Sequence, residues 1–134
     1  MNYVLDACST IAFFDAEEGG LTISDLLLTP TAQVKMHSIN MCESFYHFLR
    51  KSGPRAANKV VYDLLSFGVE IFDEVDPKLW KEAAHLKAQY KRLSLADAIG
   101  VAYTKTIHGI FVTSDHAELE PLDRDGVCTF FFFR

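Results

Sequence analysis

Ile110-Phe111-Val112-Thr113 runs without a polar break into Ser114-Asp115. Aromatic and β-branched residues in so short an apolar run predict a strand buried on both faces, the habit of parallel sheets covered by helices. Asp115 stands where that strand must end and a helix begin. The first residues repeat the arrangement, with Tyr3-Val4-Leu5 ending in Asp6. Outward from these two strands, the apolar spacing alternates between helix and strand types. Residues 9–16 read as a helix stopped near Gly19-Gly20, and 22–28 as a second one ended by Pro30. Residues 34–39 read as a strand. Asn40 then offers a capping side chain, with Glu43 three residues on and Met41, Phe45, Phe48 and Leu49 along one helix face.

Ser52-Gly53-Pro54 ends that helix, and 55–67 is amphipathic, with Ala56, Val60, Leu64 and Phe67 at helical spacing. Residues 69–72 alternate like a strand. Asp76-Pro77 starts a helix that runs to about Lys91, the capping side chain followed by proline at the first helical position. Ser94 starts another, ending near His108-Gly109, with Ala98, Ile99 and Ala102 facing inward. After Asp115 a short helix is expected, broken at Pro121, and 127–133 form a last strand. The order β-α-α-β-α-α-β-α-α-β-α-β demands crossovers. It predicts an α/β fold of three layers, a central, mainly parallel sheet of about five strands flanked by helices, in a single domain over 1–134.

Composition sets the outer bounds. Of 134 residues, 49% are hydrophobic and 23% charged, enough for a core and too apolar for extended disorder. No window approaches the ~18 apolar residues of a membrane span, and Phe130-Phe131-Phe132-Phe133 is far too short. Met1 is followed at once by Asn2-Tyr3-Val4-Leu5-Asp6, without the basic start of a secretory signal. Cys8, Cys42 and Cys128 are odd in number and apolar in context, which predicts buried reduced thiols in a cytoplasmic protein. The formal charge of −5 excludes a chain that holds nucleic acid by bulk electrostatics. A nucleic-acid enzyme of this composition needs divalent cations to cancel its acids locally.

Four acids mark one kind of place. Asp6 and Asp115 follow strands, Glu43 falls in the first turn of the helix opened by Asn40, and Asp97 in the first turn of the helix opened by Ser94. Each has an ordinary explanation as a cap or as a carboxylate near a helix N-terminus, where the macrodipole stabilises it by about 0.3–1 kcal/mol. The flanks argue for more. Asp6 follows Tyr3-Val4-Leu5, Asp97 is set in Leu95-Ala96-Asp97-Ala98-Ile99, and Asp115 follows Ile110-Phe111-Val112. Half-buried carboxylates that converge repel one another until a hard cation such as Mg²⁺ or Mn²⁺ joins them.

Val4-Leu5-Asp6-Ala7-Cys8, Asn40-Met41-Cys42-Glu43, Leu95-Ala96-Asp97-Ala98-Ile99 and Val112-Thr113-Ser114-Asp115, in this order and over the whole chain, resemble the PIN domain, specifically the small toxin ribonucleases of VapC type. The resemblance implies a PIN-like three-layer fold and cleavage of RNA phosphodiester bonds with Mg²⁺ or Mn²⁺. It also implies an antitoxin protein of VapB type and a homodimer. Carried onto this chain, it makes Asp6, Glu43, Asp97 and Asp115 the catalytic acids, with Asp6, Asp97 and Asp115 on the metal. Ser9, Thr113 and Ser114 are candidates for contacts to substrate or metal-bound water. One departure stands out: the family often has Ser or Thr two residues after the first Asp, where this chain has Cys8.

Other readings are weaker. A catalytically silent PIN-like module that binds RNA or protein is the alternative, and retention of all four acids argues against it. A receiver-type phosphotransfer domain or an Asp-x-Asp phosphatase needs a second acid beside Asp6, where Ala7-Cys8 stands. Two cationic groups, Arg50, Lys51, Arg55 and Lys59 in one and Lys87, Lys91 and Arg92 in the other, read first as solvated helix faces and second as flanks of an RNA groove. Leu26-Leu27-Leu28, Trp80 and Phe130–Phe133 read as core.

Overall fold

Alternate residues of the strands feed two separate cores, and this stacks the layers. The computed structural model describes residues 1–134. It contains β1 (Asn2–Leu5), α1 (Ala7–Phe14), α2 (Gly20–Leu28), β2 (Gln33–His37), α3 (Ser38–Ser52), α4 (Pro54–Ser66), β3 (Glu70–Phe72), α5 (Pro77–Gln89), α6 (Leu95–Thr106), β4 (Ile110–Thr113), α7 (His116–Arg124) and β5 (Thr129–Phe132). Leu5, Met36 and Val112 pack with Ala12, Ile23, Phe48 and Leu64 of α1–α4. Their strand neighbours Val4 and Phe111 pack with Leu79, Ala98, Ala102, Leu119 and Leu122 of α5–α7. The two-residue period of a strand makes this partition automatic.

All four strand pairings are parallel and the order is β3-β2-β1-β4-β5. The chain builds outward from β1 through β2 to β3, then returns to the other side of β1 for β4 and β5. Such a reversal opens a crevice beyond the carboxyl ends of the two central strands. Leu5 lies opposite Val112, so β1 and β4 end side by side. The Asp6 amide donates to the Val112 carbonyl at 3.2 Å. The α/β class, the parallel sheet and the element order therefore match the sequence expectation.

Four local expectations are corrected. Asn40 does not cap α3, which begins at Ser38 and is capped by His37: its Nδ1 accepts from the Ile39 amide at 3.1 Å, and its Nε2 donates to the Glu74 carbonyl at 2.9 Å. Burial holds the His37 pKa below its usual value, which keeps the ring neutral and Nδ1 free to accept. Pro121 does not break α7 but lies inside it, because burial of Leu119 and Leu122 outweighs the loss of one backbone hydrogen bond. Trp80 is 47% exposed, since α5 turns the stripe Leu79, Ala83 and Leu86 inward and Trp80 falls beside it. Cys42 is exposed for the same reason, lying off the buried stripe Met41, Ser44 and Phe48 of α3.

Candidate metal centre

The caps of three helices converge on the crevice beyond β1 and β4. Asp6 caps α1, accepting from the Ser9 amide at 2.8 Å and the Ser9 hydroxyl at 2.7 Å. Asp115 caps α7, accepting from the Glu118 amide at 3.0 Å. Ser94 caps α6, and its hydroxyl accepts from the Asp97 amide at 3.1 Å, which fixes Asp97 in the first turn. Capping and site-building are one act here. The backbone bonds leave each acid at a helix N-terminus with a free oxygen or a whole carboxylate toward the same space. That space is a cavity of about 270 Å³ lined by Asp6, Glu43, Asp97, Asp115 and Glu118, with Cys8, Tyr46 and His47 on its walls. A larger cavity of about 590 Å³ lies at the turn between α1 and α2, but Glu17 and Glu18 are its only acids.

Within the acidic cavity, one carboxylate oxygen each from Asp97, Asp115 and Glu118 lies within 4.8 Å of the others. Burial pushes the Asp6 carboxyl up to about 6, against hydrogen bonds from Thr113 and Ser9 that pull it down and with the charge of Asp115 adding to the rise. Burial also raises Asp97, reinforced by the charge of Asp6 and by Glu118, and burial together with Asp115 raises Glu118. Glu43 is raised by burial and by the charges of Asp6 and Glu118. So many carboxylates resisting ionisation in one hollow is what a divalent cation relieves. An all-oxygen donor set suits Mg²⁺ or Mn²⁺ and not a thiolate-seeking metal. The Cys8 thiol, pushed up to about 12 by burial and the surrounding acids, stays protonated beside them.

The four acids expected from the sequence thus line one cavity. Glu118 joins them and was not foreseen. Its signal was Asp115-x-x-Glu118, which reads as an ordinary capping pair and is one. Of the three hydroxyls considered for outward contacts, Ser9 and Thr113 are fully buried behind the acids. Ser9 donates to Asp6 and to the Val112 carbonyl, and Thr113 accepts from the Asp115 amide at 3.0 Å. Ser114 is half-buried and does not line the cavity. Beside Cys8, it is the Ser9 hydroxyl that bonds Asp6.

A buried polar seam ties the three acid-bearing segments together. The Thr10 hydroxyl donates to the Ala7 carbonyl at 2.9 Å and accepts from the Ser44 hydroxyl at 2.6 Å, and Ser44 Oγ lies 3.3 Å from the Asn40 carbonyl. The Asn40 amide then donates to the Ala96 carbonyl at 3.4 Å. Ala7 follows Asp6, Ser44 follows Glu43 and Ala96 precedes Asp97, so the seam runs directly beneath the acids. Thr10, Ser44 and Asn40 are fully buried.

Comparison with known proteins fits this architecture. No curated protein sequence matches the chain. Among solved structures, it is similar to a DNA-bound VapBC from Salmonella typhimurium, at 16% identity and TM-score 0.75 over 100% of this chain and 99% of that one. It is similar to VapBC-1 from nontypeable Haemophilus influenzae, at 13% identity and TM-score 0.73 over 99% and 98%. It is also similar to the sarcin-ricin-loop-cleaving toxin VapC20 from Mycobacterium tuberculosis, at 18% identity and TM-score 0.68 over 81% and 86%. At these identities the likeness is one of fold. The sequence model described as PIN domain matches residues 3–123. A match of that extent, on a chain whose acids meet where the strand order reverses, means that the chain belongs to the PIN domain family.

Proposed function

We propose that the chain is a Mg²⁺- or Mn²⁺-dependent endoribonuclease, acting in the cytoplasm as the toxin of a toxin–antitoxin pair. The observation that carries this reading is the approach of Asp97, Asp115 and Glu118 to within 4.8 Å, in a cavity shared with Asp6 and Glu43. Residues 1–134 would work as one nuclease unit. Asp6, Asp97 and Asp115 would hold the cation, with Glu118 as a further oxygen donor. When bound, the cation supplies Lewis acidity to the phosphodiester and to water. Glu43, half-buried and raised above the usual carboxylate range, is the group suited to take the proton from an attacking water. Ser9 and Thr113 orient Asp6 and Asp115 from behind. Cys8 is no nucleophile, because its thiol does not ionise near neutrality. Two divalent cations would also cancel most of the formal charge of −5, allowing an RNA strand to approach.

Support for a protein partner comes from the VapBC complexes that share the fold. A VapB-type antitoxin and a homodimer are accordingly proposed. No helix is long and apolar enough to cross a membrane. Cleavage of an RNA pool in Mg²⁺ or Mn²⁺ is the direct test. Asp6→Asn and Asp97→Asn should abolish it, and Glu43→Gln should slow it about a hundredfold or more. Equal activity of wild type and the Asn variants would overturn the nuclease reading.

A further inference from the structure

Glu118 is a wall shared by two cavities. On its other side lies a hollow of about 190 Å³, lined also by Tyr90, Lys91, Arg92, Leu93 and Pro121, between the turn that joins α5 to α6 and the start of α7. Its walls are fixed from within. Lys87 Nζ donates to the Leu93 carbonyl at 2.9 Å, and the Leu93 amide donates to the Tyr90 carbonyl at 3.0 Å. The Tyr90 hydroxyl donates to Asp125 at 2.7 Å. Leu93 is fully buried, whereas Lys91 and Arg92 are exposed and neither pairs with a carboxylate.

In an acidic chain, two unpaired cations beside the acidic cavity are informative. In the other cationic group Lys51 pairs with Asp15 at 2.8 Å and Lys59 with Asp63 at 2.7 Å, whereas Arg50 and Arg55 are exposed and unpaired but line neither cavity. An apolar floor, an aromatic side chain and free cations at the rim are the means by which proteins hold single-stranded nucleic acid, the base on the apolar surface and the phosphate on the cations. We infer that this second cavity is a nucleotide subsite: it receives the base next to the scissile phosphate of a single-stranded RNA, while Lys91 and Arg92 hold the flanking phosphate. The inference rests on the nuclease reading above and adds where the substrate lies.

The test uses the full chain with Asp115→Asn as a non-cleaving background in Mg²⁺, and anisotropy of fluorescein-labelled oligouridylate and oligoadenylate. Adding Lys91→Ala with Arg92→Ala should weaken binding about tenfold at 0.1 M salt and lower the salt slope by about 0.7, the value for one phosphate contact on a single strand. Tyr90→Leu should weaken it by about tenfold and Tyr90→Phe by no more than about twofold, because the ring stacks on the base and the hydroxyl only steadies it against Asp125. Arg50→Ala with Arg55→Ala should leave affinity unchanged. Melting temperature and Mn²⁺ affinity, measured without the Asn background, should not move in the Lys91/Arg92 variant. Unchanged affinity and slope in that variant overturn the subsite. If wild type then still cleaves RNA, the nuclease reading stands without it; a wild type that neither binds nor cleaves RNA overturns both.

Discussion

Asp6 does two things with one carboxylate. It closes the first turn of α1 and it places a charge, fully buried, beside Asp97 and Asp115. The two roles conflict in the metal-free protein, and the conflict is measurable. In the fold Asp6 keeps its proton up to about pH 6, whereas an unfolded aspartate releases it near ~3.9. Between these values the folded state binds more protons than the unfolded one. The contribution is fully present below about pH 4 and is lost as the pH rises to about 6, a change on the order of 3 kcal/mol. In EDTA, urea midpoints of wild type should therefore fall over this window relative to Asp6→Asn, which keeps the cap through its amide oxygen and does not titrate. Parallel pH profiles for the two proteins would show that Asp6 is not strained. At this scale the sequence was informative where an acid broke an apolar run, as at Asp6, Asp97 and Asp115. It was silent at Glu118, which sits in a polar stretch and serves Asp115 as a capping partner.

At the scale of elements, the placement of α6 decides where Asp97 points. Gly100 lets α6 lie close to the sheet: a Cβ there would meet Phe111 Cε1 at 2.7 Å and Asn40 Nδ2 at 2.9 Å. Both neighbours are fully buried, and Phe111 belongs to a strand in the middle of the sheet. Gly100→Ala improves helix propensity by ~1 kcal/mol, yet overpacking of a filled core costs about 1–3 kcal/mol. We expect net destabilisation by denaturant melts together with weaker Mn²⁺ binding, since lifting α6 separates Asp97 from Asp115 and disturbs the bond from Asn40 to Ala96. A stabilised variant with unaltered Mn²⁺ affinity would show that the close approach has no bearing on the site. Element order was legible because apolar period and turn residues agree along the chain. The start of α3 was not, because Ser38-Ile39 continues the apolar pattern of β2 and a neutral histidine is a cap that only its tertiary environment creates. Nor could strand order be read locally, since the reversal between β1 and β4 is set by which crossovers pack on which face.

The acids of the cavity come from both sides of the sheet. Asp6 and Glu43 belong to the α1–α4 side and Asp97 and Glu118 to the α5–α7 side, so a bound cation would join two cores that otherwise meet through the strands and through the contact of α3 with α6 at Asn40 and Ala96. Binding to the folded state alone stabilises it by about 2.7 kcal/mol at a hundredfold excess over Kd. For a chain of 134 residues, that corresponds to a rise in Tm of roughly 10 °C. Because the link spans both layers, the rise should be shared by the whole molecule. Trp80 is the only tryptophan and reports from α5, while far-UV circular dichroism reports from every helix. With Mg²⁺ the two signals should move together to the higher Tm, and Asp97→Asn should abolish the shift in both. A Mg²⁺-induced shift seen by Trp80 alone, with a second dichroism transition left at the metal-free temperature, would mean that the cation is held by one layer and that the convergence of the acids is looser than their positions indicate.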